Sequence, residues 1–227
     1  MRPMAGRRWP TKASIFVEAC AIALTALAPT SALAEDDKPL NQQLLVAAKA
    51  GDENAVRALL DEGAVVDSRD RVGDTALITA CRKGATGTAR LLIEHGANVR
   101  QADVHGITPL LAAAYEGHDD VVTLLLEHGA DPGATDQVGK TAMVYAAGQG
   151  HTAVVQRLLD AGVEVNTRYK NDLTALMWAA GYDQADTVKL LLARGADASL
   201  RDNRGMTAAD IAAQTGSRGV AALLSKP

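Results

Sequence analysis

A repeat of 33 residues runs through the chain from about residue 37 to its C-terminal end. Most units start with an Asp, a Gly three residues later and a Thr two residues after that. The Thr residues of successive units are Thr75, Thr108, Thr141, Thr174 and Thr207. A glycine recurs with the same step at Gly63, Gly96, Gly129, Gly162 and Gly195. A fixed period without drift indicates a repeat architecture, in which each unit packs against its neighbours.

Each unit predicts two short antiparallel helices. The Thr precedes an apolar run, so its hydroxyl is expected to cap the first helix, and Pro109 suits the first helical position. The second helix, such as residues 119–128, is apolar over a broad face and precedes a glycine, here Gly129, that suits a left-handed C-cap. Small residues at one register let neighbouring units approach closely. They are Ala47-Ala48, Ala80-Cys81, Ala113-Ala114, Ala146-Ala147, Ala179-Ala180 and Ala212-Ala213.

Three sequence blocks resemble the ankyrin-repeat family. They are the Asp-x-x-Gly-x-Thr-Pro/Ala-Leu start, the Ala-Ala-x-x-Gly-His middle at residues 113–118 and 146–151, and the Gly-Ala-Asp end. The resemblance implies an all-α solenoid of about six helix-turn-helix units, joined by β-turn fingers and closed by N- and C-terminal caps. The implied domain covers residues 35–227. Its units are residues 37–69, 70–102, 103–135, 136–168, 169–201 and 202–227.

Residues 1–34 lie outside the repeat and are typical of a secretory signal peptide. A basic start is followed by the apolar stretch 15–28 and by Ala32-Leu33-Ala34, a small-residue cleavage site. Glu18 interrupts the apolar region, so an amphipathic helix and a mitochondrial transit peptide are the alternatives. The region is also too short and interrupted for a membrane span. Cleavage near Ala34 predicts a periplasmic or secreted protein of an exported bacterial type.

Charge and cysteine content narrow the function classes. Beyond Ala34 the chain has 19 Lys and Arg against 26 Asp and Glu, a net charge of −7. This acidic balance and the predicted export argue against nucleic-acid binding. One cysteine, Cys81, remains, so no internal disulfide is expected. Because other units have Ala at this register, Cys81 is predicted to be a small buried hydrophobe.

The repeat predicts neither catalysis nor a cofactor. No Gly-x-Ser-x-Gly turn, phosphate-binding loop or Cys/His zinc pattern interrupts it. His95 and His128 are one unit apart, as are His118 and His151. Stacked helices are about 8–10 Å apart, which is too far for such a pair to close a zinc shell. No metal site is therefore expected, and the resemblance assigns His118 and His151 a structural role.

The resemblance implies a concave groove made of turn tips and the exposed side of each first helix. At those positions eleven basic residues stand against Asp74 and Glu116, a balance of +9. The basic residues are Lys38, Lys49, Arg69, Arg71, Arg82, Lys83, Lys140, Arg168, Lys170, Arg201 and Arg204. Such polarisation favours a partner with an acidic surface.

Aromatic residues are concentrated in the third to fifth units. Beyond Ala34 they are Tyr115, Tyr145, Tyr169, Trp178 and Tyr182. Tyr145 and Trp178 share one register, where they either contact a partner or fill space beside the groove. Tyr182 follows Trp178 by four residues on the same helical face and is the favoured contact residue.

The fifth unit departs most from the pattern. Tyr169 replaces the turn Asp, Asp172 the turn Gly and Asp183 the Gly between the helices. These glycines normally adopt a positive φ, so the replacements require another turn, strain, or the left-handed geometry that Asp tolerates.

We therefore predict a monomeric, non-catalytic protein-interaction module, acting as an adaptor, scaffold or inhibitor. The predicted groove is basic with an aromatic centre. Its partner-binding residues are Arg71, Arg82, Lys83, His105, Tyr115, Lys140, Tyr145, Tyr169, Lys170, Trp178, Tyr182 and Arg204. The alternative function is binding of an anionic envelope polymer or lipid headgroup through the same groove.

Overall fold

The computed structural model describes residues 39–224. The predicted signal peptide and Lys38 lie outside these residues, as do the last three residues of the C-terminal cap. The described part contains twelve α-helices in six pairs. In chain order the pairs are α1 Leu40–Ala50 and α2 Glu53–Asp61, α3 Ala76–Lys83 and α4 Thr86–Glu94, α5 Pro109–Glu116 and α6 Asp119–Glu127, α7 Ala142–Gln149 and α8 Thr152–Asp160, α9 Ala175–Gly181 and α10 Ala185–Ala193, α11 Ala208–Thr215 and α12 Arg218–Leu224.

The helix starts follow from the recurring threonines. In each of the five units that have one, the Thr hydroxyl accepts a hydrogen bond from the backbone N–H three residues later, which satisfies an otherwise unpaired helical donor. The donors belong to Ile78, Leu111, Val144, Met177 and Asp210. Pro109 occupies the first turn of α5, where no N–H is needed. The predicted caps are confirmed.

The pairs stack into a solenoid. Each first helix packs on the first helix of the next pair, and the second helices form a parallel row. The small-residue register is buried from Ala47 to Ala212, whereas Ala213, at its C-terminal end, is exposed. Cys81 is fully buried in this row, and burial raises the pKa of its thiol while the Arg82 charge offsets only part of that rise. The predicted all-helical repeat solenoid is confirmed for the described residues.

Successive helix pairs are connected by loops, which we call fingers. Across residues 39–224 there is no strand, and one isolated antiparallel bridge joins Arg69 to Thr75. In four fingers an Asp carboxylate accepts the N–H groups two and four residues later at 2.7–2.9 Å. These aspartates are Asp70, Asp103, Asp136 and Asp202. Each loop is thereby closed by its own side chain.

Hydrogen bonds between repeats hold the solenoid in register. Neighbouring fingers are joined where the Gln137 N–H donates to the His105 carbonyl at 3.0 Å. Between helix pairs, Nε2 of His151 donates to the Tyr115 carbonyl at 2.8 Å. Equivalent bonds run from His118 to Arg82 and from Gln184 to Gly148. The structural role predicted for His118 and His151 is thus observed, with Gln184 replacing the histidine one repeat later.

The fifth unit has the same backbone turns as the other units but forms them with different residues. A short 3-10 turn, Lys170–Asp172, forms its finger. Asn171, Asp172 and Asp183 adopt left-handed φ values of 63°, 59° and 61°. Asp therefore takes the glycine conformation at both replaced positions, as its tolerance of that region allows.

None of the helices within residues 39–224 combines the length and apolar character needed to cross a membrane.

Candidate functional site

The most distinctive surface of the described chain combines fingers and first helices. We call it the finger face, defined as the fingers of the second to sixth units together with the first-helix side chains beside them. Each finger is numbered after its unit: the second is residues 69–75, the third 102–108, the fourth 135–141, the fifth 168–174 and the sixth 201–207. At its centre the Nζ atom of Lys140 lies 5.2 Å from the ring centroid of Tyr145 and 5.4 Å from that of Trp178. Both distances fit cation–π attraction. One finger side chain thus bridges first helices of two adjacent repeats.

Two ring pairs flank this ammonium group. Tyr115 meets Tyr145 edge to face, with centroids 5.3 Å apart and planes at 86°. Trp178 and Tyr182 are stacked, with centroids 6.0 Å apart and planes at 3°. Both arrangements are favoured by the ring quadrupoles. We call these four rings and Lys140 the aromatic cluster, and it unites five of the twelve residues that the sequence predicts for partner binding.

Tyr145 is fixed from the finger side. Its hydroxyl donates a short hydrogen bond to the Asp136 carboxylate, whose other oxygen closes the finger. Burial is the main cause that raises the pKa of Tyr145, and the hydrogen bond and charge of Asp136 raise it further. Tyr145 therefore stays neutral at physiological pH and holds one orientation. Asp136 is a site residue that sequence analysis missed, although it precedes Tyr145 by nine residues in the same unit.

Tyr182 does not occupy the exposed position that its predicted contact role requires. Only 8% of the residue is exposed, because its ring is covered by Trp178. Burial raises the pKa of its hydroxyl to about 12. Tyr182 therefore supports Trp178 from beneath, while Tyr115, Tyr145 and Trp178 remain partly exposed. Tyr145 and Trp178 each pack against a neighbouring ring and also keep part of their surface exposed, so a contact role for them stays a prediction.

A glycine makes room for the stacked rings. Gly148 lies buried in α7, opposite Trp178 and Tyr182 of the next repeat. A Cβ at this position would lie 3.6 Å from the Tyr182 ring and 3.8 Å from the Trp178 ring. The equivalent position carries Arg82 in the second unit and Tyr115 in the third. The rings of α9 thus cover a position where earlier repeats carry a large side chain.

The predicted basic residues divide into paired and exposed groups. Arg82 binds the buried Asp74 carboxylate through two bonds of 2.5 and 3.1 Å. Arg204 binds the buried Asp202 at 2.6 and 2.9 Å. Burial favours a higher pKa for Asp202, but hydrogen bonds from Met206 and Arg204 outweigh it and lower the pKa. Asp74 is already included in the balance of +9, so of these two pairs it is Arg204–Asp202 that makes the positive charge of the face smaller than the sequence count.

Other predicted residues lie along the fingers. Arg71 and Lys83 are exposed in the second unit, and His105 is exposed on the third finger. Lys170 donates from Nζ to the Val138 carbonyl at 3.1 Å, which ties the fifth finger to the fourth. These residues add charge and hydrogen-bonding capacity outside the aromatic cluster.

Tyr169 lies partly buried at the start of the fifth finger. Burial raises the pKa of its hydroxyl, and hydrogen bonds with Thr141 and Thr167 offset only part of that effect. It therefore contributes to packing between the fourth and fifth fingers rather than to the aromatic cluster.

The described residues contain no group of three or more His, Cys, Asp or Glu side chains that could hold a metal ion. Two open cavities of about 230 and 310 Å³ lie away from the aromatic cluster. The first is lined by residues of α1 and α2, including Val46 and Leu59. The second lies on the second helices, beside Arg90, Asp120 and Arg157. Neither of these cavities includes the aromatic cluster, whose Tyr115, Tyr145 and Trp178 rings are partly exposed.

Comparison with known proteins supports the same architecture. A family model described as ankyrin repeats in three copies matches residues 44–136, 105–169 and 143–227. Together these matches extend from the first helix to the C-terminal end. No curated protein matches the chain. The resemblance drawn from the repeat motifs is confirmed.

Proposed function

Because the chain belongs to the ankyrin-repeat family, whose repeats generally mediate protein–protein interaction and which is typically non-catalytic, we propose that it is a non-catalytic adaptor, scaffold or inhibitor. Its finger face binds a protein partner with an acidic surface. The main support for this binding site is the aromatic cluster, in which Lys140 bridges Tyr145 and Trp178 across two repeats.

The cluster has the composition of a binding hot spot. Tyr and Trp combine a large apolar surface with a polar edge, and few rotatable bonds must be fixed when they bind. Here the rings are already fixed by stacking and by the Tyr145 bond to Asp136. A partner therefore meets a preorganised surface, which lowers the entropic cost of association. Lys140 and the exposed Arg71 and Lys83 favour an acidic partner.

The chemistry of the cluster supports a role in binding rather than catalysis. The hydroxyl of Tyr145 is held by Asp136, and its raised pKa disfavours the phenolate that a catalytic base would require. Tyr182 has a pKa of about 12 for the same physical reason, burial. Neither group is activated near neutral pH.

The module is further proposed to act as a monomer after export, in the periplasm or outside the cell. This part rests on the basic start, apolar stretch and cleavage motif of residues 1–34. Expression of the full chain in a secreting bacterium, followed by mass spectrometry of the exported product, is expected to give Glu35 as the first residue. An intact N-terminus on cytoplasmic protein would overturn the proposal.

The binding proposal is tested by cross-linked capture from envelope extract. The bait is the exported chain, compared with the double variant Lys140→Gln/Trp178→Ala. A matched control, Lys189→Gln, removes an exposed lysine from the second helix α10. Circular dichroism checks that each bait is folded. We expect a discrete protein that the native chain and the control capture and that the double variant loses by about tenfold or more.

Equal capture by all three baits would contradict a site on the aromatic cluster. Recovery of an anionic polysaccharide or lipid, with binding that falls steeply as salt is added, would favour the alternative function. The exposed cations Arg71, Lys83 and Lys170 are the residues that such a ligand would use.

A further inference from the structure

Charge and aromatic surface lie at different positions along the finger face. The second unit presents exposed Arg71 on its finger and Lys83 at the end of α3. Arg82 lies beside Lys83, and its ion pair with Asp74 neutralises part of its charge. The partly exposed rings of the aromatic cluster begin one unit later with Tyr115 and end with Trp178 in the fifth unit. A ligand that uses both regions must therefore lie along the solenoid and cross several repeats.

The aromatic cluster already contains its own cation. Aromatic faces attract ammonium and guanidinium groups, but Lys140 places its Nζ atom within 5.4 Å of the centroids of both Tyr145 and Trp178. A second cation in this position would be repelled by the first. The same ammonium group attracts a carboxylate, and the partly exposed rings accept apolar surface. The cluster therefore favours an apolar partner residue that has acidic neighbours, and it disfavours a basic partner residue.

The spacing between the two regions is held by the fold. Backbone bonds join successive fingers, with Val104 N–H donating to Val72 and Gln137 N–H donating to His105 at 3.4 and 3.0 Å. Three repeat steps separate Lys83 from Trp178. With packed helices about 8–10 Å apart, these steps span about 24–30 Å. An extended chain advances about 3.3 Å per residue, so about seven to nine residues cover this distance.

We propose, resting on the proposed function, that the finger face binds an extended acidic segment of its partner in one register. Carboxylates of the segment meet Arg71 and Lys83. An apolar or aromatic anchor about seven to nine residues away packs on Tyr145 and Trp178, with Lys140 contacting a carboxylate beside it.

The test uses the exported chain and fluorescent synthetic peptides. Each peptide joins a block of four glutamates to a tryptophan through an uncharged Ser-Thr spacer of varied length, and fluorescence anisotropy gives the affinity. The expected affinity is highest when block and anchor are about seven to nine residues apart, and at least about tenfold lower when the separation is halved. Replacing the glutamates by lysines is expected to abolish binding. Absence of binding, or affinity independent of spacer length, would overturn the proposal.

Variants assign each half of the peptide to its surface. Arg71→Glu/Lys83→Glu is expected to remove the contribution of the glutamate block, whereas Arg90→Glu, an exposed change on α4 of the same unit, leaves it intact. Trp178→Ala is expected to remove the preference for the anchor, and Trp178→Phe to retain part of it. Lys140→Met keeps the aliphatic stem without the charge, so a peptide with lysine as its anchor should bind several-fold more tightly than it does to the native chain.

The outcomes separate this proposal from the general function. Suppose that no peptide register is found but Lys140→Gln/Trp178→Ala still loses the captured protein. The finger face then binds a partner of another shape, and only the extended-segment proposal fails. If the double variant captures as well as the native chain, both proposals fail. Equal binding of anionic lipid vesicles and glutamate peptides would also overturn the segment proposal.

Discussion

The fourth and fifth repeats are neighbours that build the same frame from different residues. In the fourth finger the Asp136 carboxylate accepts the N–H groups of Val138 and Lys140, both at 2.9 Å. Tyr169 takes the place of this Asp in the fifth finger and offers no carboxylate. The backbone bonds nevertheless persist, since Tyr169 N–H donates to the Leu173 carbonyl at 2.9 Å, matching the Asp136 bond to Lys140 at 3.1 Å.

These two repeats share their backbone geometry more closely than their side-chain identities. Gln184 makes the inter-repeat bond that His151 makes one unit earlier. The turn positions occupied by Asp172 and Asp183 retain left-handed φ values without glycine. Left-handed geometry raises the conformational energy of residues that carry a Cβ. The fifth unit, which supplies Trp178 and Tyr182 to the aromatic cluster, therefore carries this added conformational energy.

The largest loss of stability is expected when the finger Asp of the fourth repeat, which the fifth repeat lacks, is removed. Asp136→Ala leaves two finger N–H groups and the Tyr145 hydroxyl without their acceptor. We expect a loss of about 3 kcal/mol in the free energy of unfolding, because three part-buried donors lose their acceptor together. Urea denaturation measures the loss. Asp136→Asn keeps one acceptor oxygen and should lose clearly less; equal losses below 1 kcal/mol would show that the fourth finger, like the fifth, needs no carboxylate.

The next effect concerns the rings on both sides of Lys140. Burial raises the pKa of Tyr145, and it raises that of Tyr182 to about 12. An unfolded tyrosine titrates near pH 10. A raised folded pKa gives stability that is complete below the unfolded pKa and is lost as pH rises through the folded value. Unfolding free energy should therefore fall between about pH 10 and pH 12.

Ultraviolet absorbance gives a direct reading of the same titration. We expect the folded chain to show delayed phenolate formation relative to the chain in concentrated guanidinium. Tyr182→Phe should remove one delayed transition while keeping the stacked ring. A single transition near pH 10 for all tyrosines of the folded chain would contradict the burial of Tyr145 and Tyr182.

Much of the frame is predictable because its determinants are local and repeat. Thr capping, the small-residue register and the structural roles of His118 and His151 each follow from a residue type at a fixed position in the unit. Burial of Cys81 follows from its neighbours in the same register. Asp172 and Asp183 could be recognised as unusual because the regular units supply the comparison.

The site is less predictable because side-chain packing across repeats decides it. Tyr182 shares a helical face with Trp178, but only the stacked rings show that it is covered. Arg82 and Arg204 occupy surface positions, yet each folds back on an Asp of its own finger. A charge count by position gives a net charge but does not show which residues form ion pairs, since the rotamers that permit pairing depend on the three-dimensional neighbours.

Exchanging Gly and Asp at the turn between the two helices of a unit is expected to change the free energy of unfolding by less. Gly150 of the fourth unit has a φ of 81°, and a Cβ there would clash with Oε1 of Gln184. Gly150→Asp should therefore cost about 2 kcal/mol, because left-handed strain is added to displacement of the Gln184 bond. The reverse change, Asp183→Gly, should alter stability by less than about 1 kcal/mol, since relief of strain is offset by chain entropy. Thermal unfolding of both variants measures the difference; changes of equal size and opposite sign would show that the two turns tolerate Asp alike.

The smallest change in stability is expected at Gly148, the position of α7 that the rings of α9 cover. Gly148→Ala adds a Cβ in ordinary contact, 3.6 Å from Tyr182 and 3.8 Å from Trp178. Since alanine is the better helix former, we expect a gain of about 0.5–1 kcal/mol, measured by chemical denaturation. Gly150→Ala, at a left-handed position, is the control and should lose stability. A loss in Gly148→Ala would mean that the stacked pair requires the bare backbone of α7. The glycine would then be a requirement of the aromatic cluster that the regular repeats do not share.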